Sequence, residues 1–164
     1  MIVLDHGNSV IDVYLFDWGD TLMVDMPGVS GKMCDWEVVK AVDGAKKTLE
    51  FLSLNARIYI ATGAADSNEQ DIERALSRVG LSCFISGYFC EANLSVSKGS
   101  PEYLPAILET LKVPKERVAM VGDSLVKDIE PAIAVVKEIP LIIVGYNPIP
   151  AYNTAMNLRK RTTR

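Results

Sequence analysis

Short β-prone apolar runs alternate along this chain with stretches in which apolar residues recur at helical spacing. Such alternation is typical of a parallel sheet covered by helices. A length of 164 residues fits one domain and is enough to bury a full hydrophobic core. We therefore predict an α/β fold with strands at Ile11–Phe16, Arg57–Ala61, Cys83–Tyr88, Arg117–Val121 and Pro140–Val144.

The predicted helices have recognisable ends. Ser67 and Gln70 match a capping-box pair, and Gly80 ends the helix that they begin. Ser100 begins a later helix, in which Pro105 predicts a kink or a late start. The helix before the second strand is predicted from apolar residues at helical spacing, namely Val39, Val42, Ala45, Leu49 and Leu52.

The first predicted strand ends in an acid. The apolar run up to Phe16 stops at Asp17, and a tight polar turn then brings a second acid, Asp20. A buried strand that stops at a carboxylate places it at the carboxyl edge of the sheet, where open α/β folds bind ligands. This position predicts a nucleophilic or metal-binding aspartate. The second acid follows at an offset of three residues rather than two.

Charge and hydropathy exclude several classes of function. A net charge of −4 argues against a nucleic-acid-binding domain. No apolar run approaches the roughly 18–20 residues that span a bilayer. The first eight residues contain Asp5 and His6 and no basic segment, so they do not resemble a signal peptide. We expect a cytoplasmic protein that binds neither nucleic acid nor membrane.

The cysteine and histidine content limits the chemistry further. The three cysteines, Cys34, Cys83 and Cys90, are an odd number without metal-like spacing, and we interpret them as reduced thiols. His6 is the only histidine, which argues against histidine-based catalysis and multi-histidine metal sites.

Three later segments carry the polar groups that aspartyl-phosphate chemistry needs. Thr62 and the backbone amides near Gly63 follow a strand and can donate to phosphoryl oxygens. Lys98 stands just before a predicted helix, where a cation can neutralise both a carboxylate and a phosphate. Asp123 ends another strand and Asp128 follows five residues later. Paired carboxylates repel unless a cation lies among them, and Mg²⁺ is the oxygen-seeking choice for phosphate chemistry.

In this order, the segments resemble the four-motif signature of the haloacid dehalogenase-like (HAD) superfamily. The resemblance runs from about residue 10 to residue 144 and rests on these residues: Asp17 with Thr21, Thr62, Lys98, and Gly122-Asp123 with Asp128. It implies a Rossmann-like three-layer sandwich with a mainly parallel central sheet and a central first strand. Core helices and strands fill the intervals, so we expect no cap domain.

The same resemblance implies one HAD-like domain over residues 1–164. Its core covers about residues 10–145, and residues 146–164 form a C-terminal extension or tail. The basic end of this tail, Leu158–Arg164, is either a solvated terminus or a binding segment for an anionic partner.

The resemblance also implies roles for single residues in phosphoryl transfer. Asp17 would be the nucleophile. Thr62, Gly63 and the neighbouring amides would hold the phosphoryl oxygens, and Lys98 would screen the charge between nucleophile and phosphate. An in-line nucleophile and fixed donors around the phosphorus are what this reaction requires.

A magnesium site is implied by the resemblance as well. Asp17 and Asp123 would bind Mg²⁺ directly, and Gly19 would offer its backbone carbonyl. Asp128 would bind through water or brace Lys98 or Asp123.

The chain departs from the family at the acid that usually follows the nucleophile by two residues. That position is Gly19 here, and Asp20 stands where the family usually has glycine. Three interpretations stay open. Asp20 does the acid–base chemistry in a re-formed turn; or the acid–base group is missing and turnover is weak; or the chain is a phosphonatase-like or dehalogenase branch, although those branches depend on a cap.

The leading functional prediction is a Mg²⁺-dependent phosphatase acting through a phosphorylated Asp17. The alternative is a catalytically weakened HAD-like protein that binds phosphate or a partner without efficient turnover. A receiver domain fits less well, because its phosphorylated aspartate ends a later strand and the second strand here ends at Thr62. An uncapped site admits a large or macromolecular phosphoester, or is covered by a neighbouring subunit. Trp18 and Trp36 either line its entrance or pack in the core.

Overall fold

A computed structural model describes residues 2–3, 10–130 and 141–143. Over these residues the chain forms a six-stranded sheet in the order β1-β6-β5-β2-β3-β4. Every neighbouring pair is parallel except β1 with β6. The strands are β1 Ile2–Val3, β2 Val13–Phe16, β3 Arg57–Ala61, β4 Gly87–Phe89, β5 Val118–Gly122 and β6 Leu141–Ile143.

The connections are mainly helical. The α-helices are α1 Ala45–Leu52, α2 Glu69–Arg78, α3 Glu91–Leu94 and α4 Tyr103–Leu111. Short 3-10 turns lie at Met33–Asp35, Ser82–Phe84 and Lys115–Arg117, and a π-helical turn lies at Leu125–Ile129. The α/β class, the mainly parallel sheet and the predicted β3 are confirmed.

The central strand β2 lies between β3 and β5 because it is apolar on both faces. Val13 and Leu15 point to one face and join a core cluster with Ile107 of α4. Phe16 points to the other face and packs in the cluster that contains Ile72 of α2. Each such side chain contributes about 1.5–3 kcal/mol when fully buried. The alternation along one strand thus produces the predicted three-layer sandwich, with the first long strand central.

Two predicted helix starts are wrong. The capping box of α2 is formed by Asn68 and Asp71, not by Ser67 and Gln70: the Asn68 side chain accepts from the Asp71 amide at 3.0 Å, and Asp71 accepts from the Asn68 amide at 3.2 Å. The helix α1 begins only after Gly44, whose φ of 83° interrupts the helical path. Val39 and Val42 therefore precede the helix, although both pack against the core.

Three strands and one helix start differ from their predicted limits, and β5 differs by one residue at each end. A 3-10 turn occupies the first two residues of the predicted strand Cys83–Tyr88, and pairing begins only at Gly87, where a Cβ would meet the Tyr59 ring at 2.8 Å. The strand β2 begins at Val13 rather than Ile11. The helix α4 begins at Tyr103, so the late start predicted from Pro105 is confirmed. Pro105 lies in the first turn, where its missing N–H costs no helical hydrogen bond.

Among the described residues, no connection between strands forms a cap over the carboxyl edge of the sheet. The segment from Leu22 to Trp36 is mostly irregular and borders that edge. The predicted C-terminal extension, 146–164, lies outside the described residues. None of the described helices has the length and apolar character needed to cross a bilayer.

Candidate active site

The carboxyl ends of β2, β3 and β5 open into a cleft of about 630 Å³. Every residue predicted for catalysis, phosphate binding or metal binding lines it: Asp17, Gly19, Asp20, Thr62, Gly63, Lys98, Asp123 and Asp128. Asp25, Asp66 and Lys127 add further charges to the lining. The structure therefore brings the predicted residues together, as expected for parallel strands that end at one edge.

The Lys98 ammonium group contacts acidic side chains on two sides of the cleft. Its Nζ donates to Asp17 Oδ1 at 2.5 Å and to the Ala61 carbonyl at 2.8 Å, and it forms an ion pair with Asp128 Oδ1 at 2.5 Å. The Lys98 side chain is 5% exposed, so its charge is stable there only because carboxylates surround it. This lysine ties the end of β2 to the turn that follows β5.

Three carboxylates lie close together in the cleft, and Lys98 contacts two of them, Asp17 and Asp128. One oxygen from each of Asp17, Asp123 and Asp128 lies within 4.8 Å of the others. Partial burial, together with the carboxylates of Asp17 and Asp128, raises the pKa of Asp123 to about 6. Burial also raises the pKa of Asp128, although Lys98 opposes that shift. The cluster thus carries more negative charge than Lys98 neutralises.

The donor set fits a hard divalent cation. Carboxylate oxygens are the ligands that Mg²⁺ prefers. Within the described residues, Asp128 Oδ1 is buried and has no hydrogen bond of acceptable geometry, its ion pair being to Lys98. A cation among the three carboxylates would relieve their repulsion.

Gly122 explains how Asp128 returns to the cleft. The π-helical turn after β5 folds the Asp128 carboxylate over Gly122, and the Ser124 amide donates to Asp128 Oδ2 at 3.0 Å. A Cβ at position 122 would overlap that carboxylate. The glycine is therefore required by close approach, and not by its backbone angles.

The end of β3 supplies the hydroxyl donor. Thr62 is buried but lines the cleft, and its Oγ1 accepts from the Ala64 amide at 3.1 Å. The Thr62 carbonyl accepts from the Tyr103 hydroxyl at 3.1 Å, and that hydroxyl also reaches the Phe89 carbonyl at 3.2 Å. Burial raises the pKa of Tyr103 strongly. No local sequence pattern predicts a role for Tyr103, since only the fold shows that its hydroxyl joins the ends of β3 and β4.

The residues around Asp17 hold its carboxylate in place. The Thr21 hydroxyl lies 3.3 Å from Asp17 Oδ2 and 3.4 Å from Asp123 Oδ1, so it can donate to either acid. Trp18 and Trp36 were predicted either to line the cleft or to pack in the core, and each of them does both. Their indole N–H groups donate to the Met23 sulfur at 3.2 Å and to the Gly31 carbonyl at 2.9 Å, respectively.

Asp20 is tied into the turn that contains it. Its backbone has a φ of 54°, a left-handed conformation that asparagine, aspartate and glycine tolerate best. The Asp20 amide donates to the Met23 carbonyl at 2.7 Å, and Asp20 Oδ1 accepts from the Asp25 amide at 2.9 Å. At least one oxygen of this carboxylate thus binds the loop's own backbone. The acid–base role of Asp20 stays a prediction.

The space beside Gly19 is occupied by another acid. A Cβ built on Gly19 would lie 3.7 Å from Asp25 Cβ and 3.8 Å from Asp25 Oδ2, which is ordinary van der Waals contact. Asp25 was not among the residues predicted from the sequence. The available signal was an acid within the segment predicted to lie over the site, but no spacing rule connects residue 25 with residue 19.

The fold and the cleft define an α/β protein of the HAD type, with the polar ends of its parallel strands gathered around one lysine. A family model for haloacid dehalogenase-like hydrolases matches residues 31–135, more than half of the chain. The chain belongs to this family of hydrolases.

Solved structures agree with this fold. An uncharacterized protein from Listeria monocytogenes serotype 4b superposes with a TM-score of 0.73 at 22% identity, over 84% of this chain and 80% of that one. An HAD phosphatase from Thermococcus onnurineus gives 0.65 at 17% identity, over 84% and 87%. A putative HAD-hydrolase from Bacillus subtilis, YfnB, bound to magnesium, gives 0.61 at 15% identity, over 77% and 84%. No curated protein sequence matches this chain.

Proposed function

We propose that this hydrolase is a Mg²⁺-dependent phosphatase that cleaves phosphoric monoesters through a phosphorylated Asp17. The observation that carries the proposal is the buried Lys98 ammonium, which contacts Asp17 at 2.5 Å while Asp123 and Asp128 complete an acidic cluster. A nucleophilic carboxylate, a buried cation and a set of metal-binding oxygens are the parts that phosphoryl transfer needs. One of the similar structures is described as a phosphatase and another as bound to magnesium, which supports the same reading.

The reaction proceeds in two displacements at phosphorus. A carboxylate oxygen of Asp17 forms a bond to phosphorus while the ester P–O bond breaks, and the leaving oxygen takes up a proton. Water then attacks the same phosphorus, loses a proton and releases inorganic phosphate, which restores the Asp17 carboxylate. Both steps need charge neutralisation around the equatorial oxygens.

The surrounding residues stabilise that charge. Lys98 screens the Asp17 carboxylate from the incoming phosphate, and its burial strengthens the interaction. The hydroxyl of Thr62 and the backbone amide of Gly63, which follow β3, would donate to phosphoryl oxygens. Mg²⁺ would be held by Asp17, Asp123 and the Gly19 carbonyl, and Asp128 would bind it through water or brace Lys98 or Asp123. When bound, the ion would neutralise negative charge on the phosphoryl group.

The open cleft bears on the substrate. Its volume of about 630 Å³ and the lack of a cap over the described residues support a large or macromolecular phosphoester. A neighbouring subunit that covers the cleft remains a second proposal. The cytoplasmic location remains a prediction.

The second candidate function is phosphate or partner binding without efficient turnover. Gly19 favours it, because the usual acid–base aspartate is absent at that position. General acid–base help is worth about 10²–10⁴-fold, so an enzyme lacking it would still transfer a phosphoryl group slowly.

The test is hydrolysis of an aryl phosphate together with acid-quench detection of the acyl-phosphate. We expect turnover and a trapped phosphoenzyme that both require Mg²⁺ and both disappear in Asp17→Asn. Asp12→Asn is the matched control. Asp12 forms an ion pair with Arg117 at 2.6 Å, and neither residue lines the cleft. Beryllofluoride binding without any turnover would favour the second candidate. If Asp17→Asn kept both turnover and the trapped phosphoenzyme, the proposal would be refuted.

A further inference from the structure

The position of Asp25 beside Gly19 suggests how the chain replaces its missing acid–base residue. We infer that the Asp25 carboxylate exchanges the proton with the leaving group and with the attacking water. The inference rests on the proposed phosphatase function and adds a catalytic residue to it. Its basis is that Asp25 brings a carboxylate, by a different backbone route, to the place that a side chain on residue 19 would occupy.

Apart from the chain neighbours of Gly19, Asp25 is the one described residue within 4 Å of a Cβ built at that position. A Cβ on Gly19 would lie 3.8 Å from Asp25 Oδ2, and the carboxyl carbon of an aspartate there would be about 1.5 Å farther along the side chain. A carboxylate of residue 19 and that of Asp25 would therefore serve the same small volume. Asp25 also lines the cleft together with Asp17, and its side chain is exposed to an entering substrate.

The loop is folded so as to hold Asp25 there. Asp20 Oδ1 accepts from the Asp25 amide at 2.9 Å, while the Asp20 amide donates to the Met23 carbonyl at 2.7 Å. The Val24 amide donates to the Lys40 carbonyl at 2.9 Å, which fixes the loop to a distant part of the chain. These three hydrogen bonds form a frame that fixes the backbone of the loop immediately before Asp25.

This frame accounts for both departures from the family pattern. Asp20 tolerates the left-handed backbone and also supplies the acceptor for the Asp25 amide, which a glycine could not do. Gly19 leaves open the space next to the Asp25 carboxylate. Asp20 is accordingly a positioning residue, and Asp25 is the catalytic one.

The proton balance is complete without another reactant. Protonated Asp25 donates to the ester oxygen as its bond to phosphorus breaks, and the alcohol leaves. The resulting Asp25 carboxylate accepts a proton from the water that attacks the Asp17 acyl-phosphate. Phosphate departs and Asp25 is again protonated.

The experiment compares an alkyl phosphate, whose leaving group needs a proton, with 4-nitrophenyl phosphate, whose leaving group does not. Asp25→Asn should lower kcat/KM for the alkyl ester by about 10²–10⁴-fold, and should lower phosphoenzyme formation from the aryl ester much less. Asp35→Asn is the matched control. It removes an acid in the same connection, paired with Arg74 outside the cleft lining, and should change neither rate.

A rescue separates acid–base catalysis from a structural role. The double variant Gly19→Asp/Asp25→Asn should have a kcat/KM for the alkyl ester more than about tenfold higher than that of Asp25→Asn alone. Residue 19 can accept the side chain because its φ is not left-handed and its neighbours are at ordinary contact distance.

Each other outcome has one meaning. Equal losses on both esters without rescue, or unchanged alkyl-ester activity in Asp25→Asn, would overturn the inference while the wild-type phosphoenzyme keeps the proposed function intact. Absence of any Mg²⁺-dependent phosphoenzyme in the wild type would overturn both.

Discussion

On one side of the cleft the charged groups follow strands or lie in turns packed against the strand ends, and they contact one another. On the other side they lie on a loop and contact mainly that loop's backbone. We call the second group, residues 19–25, the loop side. Lys98 and Asp128 are 5% and 1% exposed on the first side, while Asp25 on the loop side is exposed. The first group, the strand-end side, consists of Asp17, Thr62, Lys98, Asp123 and Asp128.

The difference separates two functions. The strand-end side has the groups that would accept a phosphoryl group, and the sheet fixes their positions. The loop side has the groups that would move protons, and its path can change without disturbing a strand. A chain can therefore keep its phosphate chemistry while it moves its acid–base group to another residue.

The largest effect should follow from removing the buried cation of the strand-end side. Lys98→Met leaves the carboxylates of Asp17 and Asp128 unpaired, so the metal-free protein should lose about 3–5 kcal/mol of unfolding free energy. Denaturant titration measures this loss. Lys32→Met is the control, because Lys32 pairs with Asp71 at 2.6 Å but is 40% exposed, and it should destabilise the protein far less than Lys98→Met. Similar losses in the two variants would break the contrast between buried and exposed charge.

A smaller effect is expected from Gly122→Ala. Its Cβ must displace the Asp128 carboxylate, so we expect a loss of about 1–3 kcal/mol in stability. Since Asp128 also belongs to the acidic cluster, Mg²⁺ affinity measured by calorimetry should fall about 10–100-fold. Gly87→Ala is the control, because its Cβ would meet the Tyr59 ring at 2.8 Å outside the cleft lining, so it overpacks the fold but should leave Mg²⁺ affinity unchanged. Unchanged Mg²⁺ binding in Gly122→Ala would remove Asp128 from the metal site.

Two substitutions of Asp20 test the loop side. Asp20→Asn keeps both the acceptor and the tolerance of left-handed backbone, so it should retain activity to within about tenfold. Asp20→Val loses both and should cost about 1–2 kcal/mol in stability, with faster amide exchange across the loop. Steady-state kinetics measures the activity, and hydrogen exchange measures the stability and the exchange rates of the loop amides. A collapse of alkyl-ester hydrolysis in Asp20→Asn, with Asp25→Asn active, would assign the acid–base role to Asp20.

The smallest effect should come from Tyr103→Phe. The variant removes a buried hydroxyl that donates toward the Thr62 and Phe89 carbonyls, so it should cost about 1 kcal/mol. Thermal unfolding measures that loss. Because the backbone of Thr62 keeps its bond to the Phe89 carbonyl at 3.0 Å, kcat should change little. A large drop in kcat would mean that the strand-end side depends on this clamp more than on the sheet.

Local sequence patterns predicted the fold wherever regular structure repeats one residue environment. Arg57–Ala61 is a strand with the predicted limits. Ile58 and Ile60 pack on one face of the sheet, and Tyr59 and Ala61 pack on the other. The start of α2 was predicted one residue early, since Ser67, Asn68 and other acceptors compete and only packing selects between them. Val39 and Val42 fit a helical period but lie before Gly44, whose left-handed backbone starts the helix anew.

The sequence by itself determined which side chains would meet at the carboxyl edge of the sheet. Parallel strands deliver the residue after each strand to a common edge, so Asp17, Thr62 and Asp123 could be placed together from their spacing. Only the tertiary structure decided which acid stands beside Gly19. The loop takes its path from the left-handed turn at Asp20 and from the bond between Val24 and Lys40, and bonds between distant residues leave no period in the sequence.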